Sequence, residues 1–247
     1  MRVRFVSIFW ATLCCAPLAL AQGDNFTITG ANPDGYYLGN NPAVYVDPYT
    51  ATVTGPGVNY SGFVICDDYT DEVTVPESWT VDSSTIGAGG ATNGLFQSDN
   101  YSYTLGSQGF SYSGEQGYNM VAYLADELMT NENYNNQATA DALSYAIWTI
   151  FTPSAYSNIT GDTSVQAAVV QDIESAWTNA GKNSDYSGPA VTVWTPTSWN
   201  GDPSRPQEFL TVQTPEPPAL ASLAVDFTVL LGFLCVVRRR ILRRVKA

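Results

Sequence analysis

Along the chain, the spacing of apolar and polar positions changes character twice. From Asn25 to about Tyr112, short runs rich in β-branched and aromatic residues alternate with turn sequences such as Asn32-Pro33-Asp34-Gly35 and Gly55-Pro56-Gly57. Tyr36-Tyr37-Leu38, Ala43 to Val46, Ala51 to Thr54, Gly62 to Cys66 and Ser78 to Val81 are therefore strand candidates of an antiparallel sheet. The spacing then becomes helical. Tyr118, Val121, Ala122, Leu124, Ala125 and Leu128 recur on one face, as do Ala138, Ala142, Tyr145, Ala146 and Trp148 to Ile150, and a third helix is expected from Thr163 to Ala180. Ala190 to Trp194 and Glu208 to Val212 return to strand character. Sheet, helices and sheet again predict an α+β fold, a β-rich antiparallel domain with an inserted helical segment whose last strands rejoin the first sheet.

The two ends follow other rules. Arg2 and Arg4, the apolar stretch Phe5 to Leu13, and Ala19-Leu20-Ala21 have the order of a secretory signal with its cleavage site, so residues 1–21 are expected to be removed by signal peptidase. Pro218 to Val237 is a mostly apolar run of about twenty residues, enough for a helix to span a bilayer core. Arg238, Arg239, Arg240, Arg243, Arg244 and Lys246 follow it and act as a basic stop-transfer cluster that stays cytoplasmic. Asp226 interrupts the run, at a cost of about 2.5 to 3.5 kcal/mol near the bilayer centre. Before it stands Pro215-Glu216-Pro217, whose prolines keep the chain extended and accessible.

Pro215-Glu216-Pro217, an apolar helix and an arginine-rich end together resemble the PEP-CTERM sorting tail. The resemblance covers about 33 residues and implies recognition by an exosortase-like enzyme of the inner membrane, in bacteria that make extracellular polysaccharide. Three segments are expected: a signal peptide (1–21), an exported domain (22–213) and a sorting tail with a single transmembrane helix (214–247). The expected route runs through an inner-membrane intermediate to the cell surface or the medium.

Charge narrows the function classes. Of 23 acidic residues only Glu216 and Asp226 lie in the tail, which leaves 21 acids against Lys182 and Arg205 in the exported stretch. Nucleic acid is not an expected partner, since phosphate binding needs clustered cations. The chain contains no His, which rules out Ser-His-Asp and Cys-His catalysis within it. Cys14 and Cys15 leave with the signal and Cys235 lies in the tail, so Cys66 has no partner for an internal disulfide in the exported domain. Aromatic residues must supply much of the core instead.

Two constellations are candidates for chemistry. Val64-Ile65-Cys66-Asp67-Asp68 and Leu143-Ser144-Tyr145-Ala146-Ile147-Trp148 resemble, in order and separation, the two motifs of bacterial surface thioester domains, where a strand Cys is joined to a helix Gln and the bond captures host amines. Cys66 matches the Cys, but Ser144 stands where the Gln would be. A Ser supplies no acyl group, so the resemblance implies a related fold without the covalent bond, with Cys66 as a vestigial position. The second constellation is Asp67, Asp68, Asp71 and Glu72, whose oxygens suit Ca²⁺ in an extracellular setting, against the alternative of a solvated acidic loop; no other cofactor is expected. Tyr and Trp side chains are available to stack on sugar rings, and a carboxylate-dependent hydrolase has ample acids, although no pair is nominated by spacing. The expected function is a non-enzymatic surface or matrix protein acting in adhesion or biofilm. A carbohydrate-binding module is the alternative and a secreted hydrolase the more distant one.

Overall fold

A computed structural model describes residues 23–31, 36–39, 43–87, 91, 93–183, 185–198 and 206–213. The signal sequence, Pro215-Glu216-Pro217, the apolar run and Arg238 to Arg244 lie outside these residues. Among the described residues no helix is long and apolar enough to cross a membrane.

Among the described residues there are ten strands and four α-helices. The strands are β1 (Asp24–Ala31), β2 (Tyr37–Leu38), β3 (Val44–Tyr45), β4 (Tyr49–Gly55), β5 (Val58–Cys66), β6 (Glu77–Ile86), β7 (Asn100–Leu105), β8 (Gln108–Ser113), β9 (Val191–Ser198) and β10 (Phe209–Val212). Between β8 and β9 run α1 (Gly114–Met129), α2 (Gln137–Phe151), α3 (Ala155–Asn158) and α4 (Thr163–Ala176). The β-rich antiparallel core with an inserted helical layer is the expected α+β class. The last strands do rejoin the first sheet: β9 pairs with β6, and β10 sits between β5 and β9.

The pairing closes on itself, since β1 is bonded to both β4 and β6, giving a barrel in the order β1-β4-β5-β10-β9-β6. Closure removes the unpaired edges that an open sheet would leave. Strand alternation then separates two cores. Phe26, Ile28, Val53, Val64, Cys66, Trp79, Val81, Trp194 and Phe209 fill the barrel. Phe26 stacks on Phe209 with centroids 5.4 Å apart and lies 5.0 Å from Trp79. Intervening residues such as Ile65, Val193 and Leu210 turn outward and join the helices in the second core.

The helix starts are set by local chemistry. Ser113 caps α1 through its hydroxyl, which accepts from Gln116 N at 3.3 Å, while Gln116 Oε1 accepts from Ser113 N at 3.0 Å, forming a capping box. Asp162 caps α4 by accepting from Val165 N at 3.1 Å. Every residue of α2 from Ala140 to Phe151 is buried, so this helix packs on several sides rather than along one stripe. The third expected helix is shorter than its apolar pattern: α4 ends at Ala176, and Trp177–Gly181 forms a π-helical turn. Strands β1, β7 and β8 add to those nominated individually from composition.

Candidate functional site

The candidate functional region lies where β5 ends and β10 begins. Register pairs Cys66 with Phe209, both inside the barrel. One residue further along each strand, Asp67 N donates to Glu208 O at 3.5 Å, bringing Asp67 and Glu208 side by side. One more step brings Gln207 to Asp68, with Gln207 Nε2 donating to Asp68 O at 3.1 Å and also to the carbonyl of Asp71. Antiparallel pairing thus sets one apolar pair, Cys66 with Phe209, beside two acidic or polar ones, Asp67 with Glu208 and Asp68 with Gln207.

Asp67 and Glu208 are both 0 % exposed. Glu208 Oε1 accepts from Tyr118 OH at 2.5 Å, and Oε2 accepts from Thr195 Oγ1 at 2.5 Å and Leu95 N at 3.0 Å. Glu208 therefore joins two barrel strands to α1 and to the turn before β7. Neither oxygen of Asp67 has a donor from the rest of the protein, yet its carboxyl contacts that of Glu208. Two ionised carboxylates at this depth would repel each other and leave Asp67 unsatisfied. A proton kept on Asp67 and donated to Glu208 satisfies both. Burial is the main reason that Asp67 is pushed well above the ordinary carboxyl range, with the charges of Glu208 and Asp68 adding to it. Burial also raises Glu208, but the bonds from Thr195, Tyr118 and Leu95 oppose this, so Glu208 is the ionised member.

On the other side of β5 is a cavity of about 440 Å³. One wall is the pair Tyr45 and Tyr49, whose centroids lie 4.7 Å apart; another is Tyr69 against Trp148 at 5.6 Å. Asp68, Asp71, Glu72, Gln207 and Cys66 also line the cavity. Asp68 is 1 % exposed, and its Oδ1 accepts from Thr70 N at 3.0 Å and Thr70 Oγ1 at 2.8 Å, which shapes the loop. Trp148 reaches over from α2 and donates from Nε1 to Cys66 O at 2.9 Å. Among the described residues no Lys or Arg lines the cavity.

The residues singled out from sequence are thereby divided. Cys66 Sγ donates to Asp68 O at 3.1 Å, and burial, followed by the charges of Asp68 and Asp67, pushes the thiol well above its ordinary range. It is held as the neutral thiol, the form with little nucleophilicity. Ser144 donates its hydroxyl to the Val46 carbonyl, so it ties α2 to the chain after β3. Asp68, Asp71 and Glu72 share the cavity, whereas Asp67 faces Glu208. Among the described residues no three His, Cys, Asp or Glu side chains gather closely enough to hold a metal ion. Sequence reasoning passed over Glu208, Tyr118, Thr195 and Gln207. An acidic residue at the mouth of the apolar strand Phe209–Val212 was the available signal for Glu208, because a carboxylate rarely enters such a run unless partners await it.

No family model matches the sequence, and no curated protein matches it. Among solved structures, the chain is similar to the N-terminal thioester domain of protein F2 like fibronectin-binding protein from Streptococcus pneumoniae, with 12% identity, a TM-score of 0.38, and coverage of 77% of this chain and 93% of that one.

Proposed function

We propose that the chain is an exported, non-enzymatic protein of the cell surface or extracellular matrix, delivered by its PEP-CTERM-like tail, and that it holds matrix saccharide in the cavity beside Cys66. The observation that carries this reading is the cavity itself, whose lining combines the rings of Tyr45, Tyr49, Tyr69 and Trp148 with the acidic residues Asp68, Asp71 and Glu72. Such a surface stacks on a sugar ring and accepts from its hydroxyls. This merges the adhesion role with the carbohydrate-binding alternative. A binding role without turnover is supported by the state of the reactive groups: the Cys66 thiol is neutral and bonded, the Ser144 hydroxyl is committed to a backbone carbonyl, and the Asp67–Glu208 pair is sealed from any substrate.

The test is partition between cells, matrix and medium. Wild-type chain is expected to co-fractionate with the matrix, and a Tyr69→Ala variant, which removes one aromatic wall, is expected to shift to the medium. Equal partition of the two proteins would overturn the role of the cavity.

A further inference from the structure

Gly94 lies where the turn before β7 meets α1. A β-carbon on it would collide with the ring of Tyr118, whose hydroxyl donates to Glu208 Oε1. The close approach that lets Tyr118 reach Glu208 therefore leaves room for glycine alone at this position. The residue before it, Asn93, is exposed, and among the described residues it is the one asparagine followed by glycine.

Asparagine is chemically labile, and its lability depends on the residue that follows. Loss of the side-chain amide begins when the next backbone nitrogen attacks the side-chain carbonyl carbon, and a side chain on that next residue obstructs the approach. Gly94 offers no obstruction. Among the described residues nothing accepts from the Gly94 N–H or bonds the Asn93 side chain, so neither reacting group is tied elsewhere. Two other exposed asparagines, Asn59 and Asn100, differ on both counts. They lie in the paired strands β5 and β7, and each precedes a tyrosine, Tyr60 or Tyr101.

We propose that Asn93 is a site of spontaneous deamidation, and that the change loosens the hold of the turn before β7 on Glu208. The Gly94 nitrogen bonds to Asn93 Cγ, the bond from Cγ to the side-chain nitrogen breaks, and ammonia leaves with the proton that Gly94 gives up. Solvent water then opens the five-membered imide at either carbonyl. One opening yields aspartate. The other yields isoaspartate, in which the chain runs through the side-chain carbon and the backbone gains a methylene. No oxidant or cofactor takes part. The added methylene falls directly ahead of two anchors, Leu95 N donating to Glu208 Oε2 at 3.0 Å and Phe96 N donating to Tyr118 OH at 3.1 Å. Gln97 N donating to Gly94 O at 3.2 Å closes the same turn. Lengthening the chain at this point shifts these donors from their acceptors, and hydrogen bonds weaken steeply with misalignment.

The purified full-length chain is incubated at mildly alkaline pH, which favours the attacking nitrogen, and sampled by peptide mapping with mass spectrometry. Mapping separates Asn93 from Asn200, which also precedes a glycine. Asn93 is expected to convert at least severalfold faster than Asn59 or Asn100, giving aspartate and isoaspartate together. A rate no faster than theirs would overturn the site. Chains converted at Asn93 are then separated by charge from unconverted ones and unfolded in denaturant. The converted chains are expected to have the lower midpoint, whereas Asn93→Ser, incubated in parallel, is expected to hold its midpoint. Equal midpoints for converted and unconverted chains, or the same drift in Asn93→Ser, would overturn the effect on the fold. Asn93→Asp carries the added charge without the added methylene and is expected to match the unconverted chain. A loss in Asn93→Asp as large as that in the converted chains would overturn the role of the lengthened backbone.

Discussion

Asp67 shows how one buried proton links a residue to stability. The folded chain keeps Asp67 protonated well above the ordinary range, whereas the unfolded chain releases that proton above about pH 4. Folding therefore takes up a proton over this window, so the contribution of the pair is fullest below the unfolded carboxyl range and declines as pH rises, by about 1.4 kcal/mol per pH unit for one proton. Asp67→Asn leaves an amide N–H to donate to Glu208 and removes the titration. Denaturant midpoints measured from pH 5 to 8 are expected to fall less steeply in Asp67→Asn than in the wild type, and an unchanged slope would dismiss the shared proton. Tyr118→Phe tests the other side of Glu208. It deletes the donor to Oε1 and also the acceptor for Phe96 N at 3.1 Å, so a loss of about 2 to 3 kcal/mol is expected in equilibrium unfolding.

At the scale of elements, the junction between β8 and α1 is the most constrained. Ser113 both ends the strand and caps the helix, and Gln116 closes the capping box while donating from Nε2 to Gly181 O at 3.1 Å. Gly114, the first helical residue, passes close beneath the turn before β7: a β-carbon there would collide with the carbonyl oxygen of Phe96. Gly114→Ala is expected to cost about 2 kcal/mol or more through backbone displacement, read as a fall in Tm, even though Ala is otherwise the better helix former. A gain in Tm would show that the turn yields freely. The helical period of Tyr118 to Leu128 was legible because its large apolar residues recur at helical spacing, although burial extends round most of α1 and includes Asn119. The end of α4 was not, since Trp177 and Ala180 keep the apolar pattern while the backbone adopts a π turn, a hydrogen-bonding choice that side-chain periodicity does not record. Strands β7 and β8 likewise carry Tyr101, Tyr103, Phe110 and Tyr112, but pairing with each other rather than with the barrel is a tertiary outcome.

For the whole molecule, the sorting proposal makes the destination depend on the ends. Intact mass of the chain recovered from cells and from medium is expected to correspond to a start near Gln22 and an end near Pro215 to Pro218, as cleavage by signal peptidase and by an exosortase-like enzyme requires. A mass that retains the arginine-rich end would make the tail a permanent anchor and would remove the sorting proposal. Local sequence determined a great deal of this protein by itself. Strand and helix periods, the Ser113 and Asp162 caps, the absence of His and the scarcity of cations are all local or compositional, and they specify an α+β domain without His-based catalysis. Tertiary structure decided how the ends of the sheet meet. Closure of β1 onto β6, and the register of Cys66 with Phe209, depend on strands far apart in the chain. That register places Asp67 against Glu208 and Gln207 beside Asp68, so one acidic run is divided between a sealed proton-sharing pair and an open cavity. The physical reason is the twofold alternation of a strand: neighbours in sequence face opposite sides, and only the partner strand determines what each side meets.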